Sequence, residues 1–231
     1  GRSFLSTRAF RVEGGSMYEF VRGPLVWIAF IGFFGGMAYQ FITMARLAKK
    51  DKVVYPTFSA KYGFRSLLHW VVPLGGRNMQ MHPFYTLLSY AFHICVLVTP
   101  LFLMGHAVLW QESWGIRWWS LPEGVADFMT LVVIFACVFF IIRRLVRPEV
   151  RNVSYPSDFL LALLVMAPFL TGYIAHQQWL PYKTMIIIHG FSGALWLLAI
   201  PWTRLVHMLW FAFTRAYMGS EFGSVRHSRD W

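Results

Sequence analysis

The sequence predicts an all-α membrane protein, a bundle of five transmembrane helices with the N-terminus outside and the C-terminus in the cytoplasm. Three observations carry this. Of the 231 residues, 57% are hydrophobic and only 13% are charged, where a soluble domain carries about 25% charged residues. Several apolar runs exceed the roughly 18 residues that mark a membrane-crossing helix. The basic residues, 21 Lys and Arg against 10 Asp and Glu, gather in alternate segments between those runs, as they do on a cytoplasmic face. A formal charge of +11 in isolation would suggest nucleic acid. Its placement beside apolar runs argues for a lipid bilayer and against nucleic acid.

The first span covers Phe20 to Arg46, with Gly35, Gly36 and Met37 at its centre, where small side chains let a neighbouring helix approach. The second covers Pro83 to Trp110, the third Val125 to Arg143, the fourth Asp158 to His176 and the fifth Tyr182 to Thr214. Pro100 and Pro201 lie inside the second and fifth spans, so kinks are expected there. The longest loop, "YPTFSAKYGFRSLLHWVVPLGGRNMQ", has a central part that reads as an amphipathic helix on the inner surface or as a docking site.

Orientation follows the basic residues. Lys49, Lys50, Lys52, Lys61, Arg65 and Arg77 lie between spans one and two, and Arg143, Arg144, Arg147 and Arg151 between spans three and four. Arg215, Arg226 and Arg229 follow span five, whereas the other two loops hold only Arg117 and Lys183. Residues 1–17 are therefore expected as an extracytoplasmic tail, 18–215 as the membrane domain and 216–231 as a cytoplasmic tail. Arg2, Arg8, Arg11 and Arg22 run against this rule. Met17 is a candidate start, with the preceding residues an extension. The Trp-rich and Pro-containing loops "WQESWGIRWWSLPEG" and "HQQWLPYK" suit the outer interface.

Two cysteines, Cys95 and Cys137, each sit in an apolar run and read as small core residues. With no third thiol the chain cannot by itself ligate a cysteine-held cluster, and no C-x-x-C-H motif is present for covalent haem. The eight histidines are more informative. His93 and His106 fall deep in the second span, and His189 and His207 in the fifth. Ionisable groups in hydrocarbon are costly and mark function, and neutral imidazole is a common metal ligand. Eighteen residues separate His189 from His207, about five helical turns and 27 Å, which on an ideal helix places both on one face. Thirteen separate His93 from His106, about 20 Å and off one face unless Pro100 re-aims the helix. Antiparallel spans then pair His93 with His207 near the cytoplasm and His106 with His189 near the outside, as axial ligands of two b-type haems. Bis-histidine ligation suits electron transfer.

The remaining histidines have plainer readings. His82 is the rival ligand on spacing but adjoins Pro83 at the span's start. His69 and His227 lie in cytoplasmic segments, and His176 either caps its helix or lines a quinone pocket. Arg204, three residues before His207, is either a haem-propionate partner or a snorkelling anchor.

At these residues the chain resembles the gamma subunit of respiratory nitrate reductase and the related cytochrome b subunits of sulfate-reducer membrane complexes. The resemblance rests on "IPWTRLVH" ending at His207, "LFLMGH" ending at His106, "SLPEGVADFM", "RRLVRPEVR" followed by Asp158, and the opening "MYEFVRGPLVWIAFIGFFGG". It covers nearly everything from Met17 onward. It implies five helices and two b haems, with His93 and His207 on the inner one and His106 and His189 on the outer. It also implies electron exchange between menaquinone or ubiquinone and a cytoplasmic iron–sulfur subunit, with further membrane or periplasmic cytochrome subunits as possible partners. The setting it implies is a bacterial cytoplasmic membrane. Gly105 matches a glycine beside the quinone site, for which Gly105, His106 and Asp127 are the expected residues. Ala126 stands where the family's quinone-site lysine does, and His93 and His106 are three residues further apart than in the nitrate reductase subunit. A hydrogenase or formate dehydrogenase cytochrome b, with four core helices, and a haem-free transporter or structural anchor are the competing readings.

Overall fold

The computed structural model describes residues 17–48 and 57–230. The predicted N-terminal tail and Lys49, Lys50 and Lys52 fall outside that range. Among the described residues there is no strand, and five helices are long and apolar enough to cross a membrane: Met17–Ala48, Pro83–Phe102, Glu123–Val146, Pro156–His176 and Tyr182–Trp202. Hydrocarbon offers the backbone no hydrogen-bonding partner, so each apolar run must close its own i to i−4 bonds. The elements used below are α1 (Pro24–Ala48), α2 (Ala60–Val71), α3 (Pro83–Phe102), α4 (Met104–Trp114), α5 (Glu123–Val146), α6 (Pro156–His176), α7 (Tyr182–Ala199) and α8 (His207–Ser220).

The described chain divides into two compact units, 17–29 with 91–196, and 30–90 with 197–230. In the first, α5 and α6 pack side by side along their length. Val133 and Ala136 are fully buried and Cys137 nearly so, and Cys95 and Cys137 are both free thiols, as core residues should be. Gly190 lets Val21 come so close that a Cβ there would meet its Cγ1 at 2.1 Å.

The second span is broken. Pro100 has no N–H to give, and its ring crowds the preceding turn. The helix runs on to Phe102 and stops at Leu103, which is extended (φ −66°, ψ 131°), before α4 begins. Such a break strands carbonyls, and three in the last turn of α3 find a donor. The Pro100 carbonyl accepts from His106 Nδ1 at 2.7 Å, Leu101 from Trp118 Nε1 at 2.8 Å and Phe102 from the Leu121 N–H at 2.8 Å. The predicted kink is thus a full break.

The fifth span also departs from an ideal helix. After α7 come two 3₁₀ turns, Ile200–Trp202 and Arg204–Val206, around an extended Thr203 (φ −125°, ψ −175°). His189 and His207 are therefore not joined by five regular turns. A 3₁₀ turn rises about 2 Å per residue with three residues per turn, so both the expected 27 Å and the shared face lapse.

In the second unit, the small residues of the first span act as predicted, with one refinement. A Cβ on Gly36 would meet the Pro201 ring at 2.6 Å and one on Gly32 would meet Leu198 at 2.3 Å, while Gly35 faces nothing within 4 Å. Gln40 Nε2 donates to the Pro201 carbonyl at 2.8 Å. The long loop does form a helix, α2, packed against α8. Their backbones close over Gly219, whose added Cβ would meet Ser66 Cβ at 2.2 Å. Helix α8 runs without interruption through 215–216, where the cytoplasmic tail was expected to start, and ends in a π-helical turn, Glu221–Val225.

Candidate functional site

The site begins with the break after Phe102. By ending α3 there, it lets α4 set off in a new direction with His106 in its first turn. The His106 ring comes to rest against that of His189 from α7, with centroids 5.9 Å apart and planes 22° from parallel. Each ring is fixed through Nδ1. His106 donates to the Pro100 carbonyl, and His189 Nδ1 lies 2.9 Å from the Pro168 carbonyl of α6. A bond from Nδ1–H to a backbone carbonyl sets the tautomer and leaves Nε2 as the ligating nitrogen, the usual outer-shell arrangement of a metal-binding histidine. Gly172 makes room for this. A Cβ there would lie 3.0 Å from both Cε1 and Nδ1 of His189.

The spacing can be tested against haem. Imidazole–metal bonds are about 2 Å long, so two of them in line, plus about 1 Å from each nitrogen to its ring centre, put the centroids about 6 Å apart. The two ring centres lie 5.9 Å apart. Among the described residues no three His, Cys, Asp or Glu side chains gather into a metal cage. Two imidazoles can fill two coordination positions of a metal.

Asp127, the expected quinone-site acid, belongs to a polar group at the N-terminal end of α5. His176 Nε2, from the last turn of α6, lies 3.1 Å from Glu123 Oε1 and 3.6 Å from Asp127 Oδ1, and Gln177 Nε2 donates to Asp127 Oδ2 at 3.1 Å. Acidic groups at a helix N-terminus and a basic one at a C-terminus both suit the helix dipoles. His176 is one turn beyond Gly172 on α6, about 6 Å along the axis, so this group adjoins the imidazole pair. Its exposed carboxylate, Glu123 at 78%, opens it to the surroundings. Gly105 has open space around it.

The remaining predicted residues lie as follows. His93 is in the first unit, exposed on α3 beside Phe92. His207 opens α8 in the second unit and repeats the Nδ1 pattern, at 2.8 Å from the Arg204 carbonyl. Arg204 thus touches His207 through its backbone. His69 Nε2 contacts the Gly75 carbonyl at 2.8 Å, and His82 closes the short helix Arg77–Met81. Sequence reading missed the carbonyls of Pro100 and Pro168, the Gly172 cradle and Glu123. The proline signals were present, since a proline inside an apolar helix disturbs the backbone bonding around it.

The fold and this site define an all-helical membrane protein with five spans among the described residues, in which the rings of His106, just after the second span, and His189, within the fifth, lie 5.9 Å apart. The chain is 34% identical to a protein of Nitratidesulfovibrio vulgaris (strain Hildenborough), over 215 residues that make up 91% of this chain and 95% of that one. It belongs to the same family as that protein, whose recorded name, "Protein", specifies no activity. No protein-family model matches the chain. No solved structure matches it.

Proposed function

We propose that the protein is a di-haem cytochrome b, the membrane subunit of a respiratory complex that moves electrons between the quinone pool and a cytoplasmic iron–sulfur partner. The observation that carries this is the facing of His106 and His189, each pinned by Nδ1 at a separation suited to a metal between them. His106 and His189 hold one haem. His93 and His207 hold the other, a pairing that rests on the sequence. Bound haem would supply one-electron chemistry, with the four histidines as the residues that would hold it.

The chain's own residues do the rest. The Pro100 and Pro168 carbonyls orient the imidazoles, and Gly172 lets one ring lie against the α6 backbone. Asp127, Glu123 and His176 sit near that pair, where they exchange protons with a quinone and with water. Arg204, beside His207, is suited to pair with a haem propionate. The distribution of basic residues along the sequence argues for this group outside, and for α2 and the C-terminal segment in the cytoplasm, of a bacterial inner membrane. Quinol oxidation and quinone reduction are both compatible with these residues. The terminal chemistry of the complex belongs to the partner.

The test is a reduced-minus-oxidised spectrum of the purified chain with a pyridine haemochrome assay. A b-type alpha band and about two haems per chain are expected. Absence of the band would favour a haem-free transporter or structural anchor. A four-helix hydrogenase or formate dehydrogenase type is disfavoured by the five spans.

A further inference from the structure

The second unit carries a cavity that the electron-transfer reading does not use. It holds about 260 Å³ and is lined by Tyr62 and Arg65 of α2 and by Gly223, His227, Ser228 and Arg229 of the C-terminal segment. Every polar side chain in that lining can donate a hydrogen bond, two are guanidiniums, and none is acidic. Among the described residues, Asp230 and Glu221 are engaged elsewhere. Asp230 is drawn inward, its Oδ2 accepting from the fully buried Ser66 hydroxyl and from Arg215 Nη2 at 2.5 Å each, while its carbonyl accepts from Arg215 Nη2 at 2.9 Å. Glu221 is taken by Arg226 Nε at 3.2 Å. Burial pulls the Arg215 guanidinium below its ordinary pKa, and the Asp230 carboxylate opposes that shift.

The lining segment is also held in an uncommon backbone. His227 has φ +51°, a left-handed conformation that non-glycine residues adopt sparingly and that is worth examining wherever it occurs. It is fixed on both sides, by the Ser228 N–H to Phe222 carbonyl bond at 2.9 Å and by the Asp230 latch. The effect is to keep His227, Ser228 and Arg229 opposite Tyr62 and Arg65. Arg65 in turn lies over the Tyr62 ring, 4.8 Å from its centroid, which limits where its guanidinium points.

A second feature lies on the same helix as Tyr62 and Arg65. Phe64, Leu68 and Val71 are 62%, 54% and 61% exposed, and their spacing of four and three residues makes one apolar stripe about 10 Å long on α2. It starts beside Arg65 and runs toward Trp70 and the end of the helix. A purely polar anion has no use for such a stripe, whereas an amphiphile covers it with a hydrocarbon chain.

We propose that this cavity binds the phosphate headgroup of an anionic phospholipid, with an acyl chain laid along Phe64, Leu68 and Val71. Arg65 and Arg229 supply the charge, and Tyr62, His227 and Ser228 the remaining donors. Basic pockets at the cytoplasmic face of membrane helices take such headgroups. The proposal does not depend on the haem reading.

The test uses the full chain, delipidated in detergent and offered equal phosphatidylglycerol and phosphatidylcholine, with retained lipid counted by native mass spectrometry. One phosphatidylglycerol per chain is expected to be kept in preference to phosphatidylcholine. Replacing both Arg65→Gln and Arg229→Gln should weaken retention roughly thirtyfold, at about one basic side chain's worth of lipid attraction each. Arg151→Gln, in the first unit, should leave it unchanged, and Arg229→Gln by itself, on an exposed segment, guards against a folding defect at Arg65. Equal retention of the two lipids, or retention unaffected by the double change, overturns the proposal. Displacement by inorganic phosphate would instead assign the cavity to a soluble anion, and displacement by an acidic peptide to a protein partner.

Discussion

The second and fifth spans are broken, and the third and fourth are not. The broken ones carry or adjoin His93, His106, His189 and His207, and the breaks leave helix-terminal carbonyls within reach of side chains. Two of those carbonyls, of Pro100 and Arg204, are taken by imidazoles. The unbroken helices α5 and α6 hold no histidine until His176 and are tied together at their ends by ion pairs. One tie is built to last. Asp158 is 6% exposed, lies 3.7 Å from Arg144 and accepts from the Tyr155 N–H at 2.8 Å. The other, at His176, Glu123 and Asp127, is more open to the surroundings. The contrast teaches that the straight pair is a frame, while the broken pair positions histidine rings. At Pro100 and Arg204 a helix end takes up an imidazole, whereas His189 is held by Pro168 of the unbroken α6.

Replacing histidines of the broken spans breaks that contrast most strongly. His106→Ala and His189→Ala should each remove the same haem, lowering the pyridine haemochrome value from about two to about one per chain. His93→Ala and His207→Ala should each remove the other, and loss of different haems within either pair would show that pairing to be wrong. The frame comes next. Asp158→Ala removes a nearly buried carboxylate and a helix N-terminal acceptor, and should cost about 2 kcal/mol in thermal or denaturant unfolding while leaving the haem spectrum alone. A smaller effect follows from Gly172→Ala. The added methyl meets His189 at 3.0 Å, so one haem should be retained with an altered low-spin electron paramagnetic resonance signal, and the other should be untouched. The smallest effect on stability belongs to His176→Gln, under about 1 kcal/mol because the pair is exposed. That variant should still slow haem reduction by menadiol and change its pH profile. An unaltered profile would remove the His176 group from the quinone site.

Much of the architecture was legible from local chemistry. The five runs, the close contact at Gly36 and the burial of both cysteines follow from hydropathy and side-chain size. So does the helix in the long loop, because Phe64, Leu68 and Val71 recur at helical spacing. The histidines stood out in the sequence because an ionisable ring in hydrocarbon is costly. The route to their geometry was not. An ideal-helix count puts His189 and His207 on one face, whereas two 3₁₀ turns and an extended Thr203 intervene. The same count puts His93 and His106 off one face with Pro100 as the remedy, whereas the turn occurs at Leu103, where no sequence signal stands.

What the sequence by itself determined is the set of elements: which runs cross, which residues are small enough for contact and which rings are out of place in lipid. Those depend on each residue's own transfer energy and on its near neighbours along the chain. Only the tertiary structure decided where the helices break and which carbonyl each imidazole takes. It also brought His176 to Asp127, 49 residues away in sequence, and the tail back to α2 through Asp230 and Ser66. A stranded backbone carbonyl must be satisfied by whatever donor the fold brings to it. That donor is chosen in three dimensions, by the helix packed alongside.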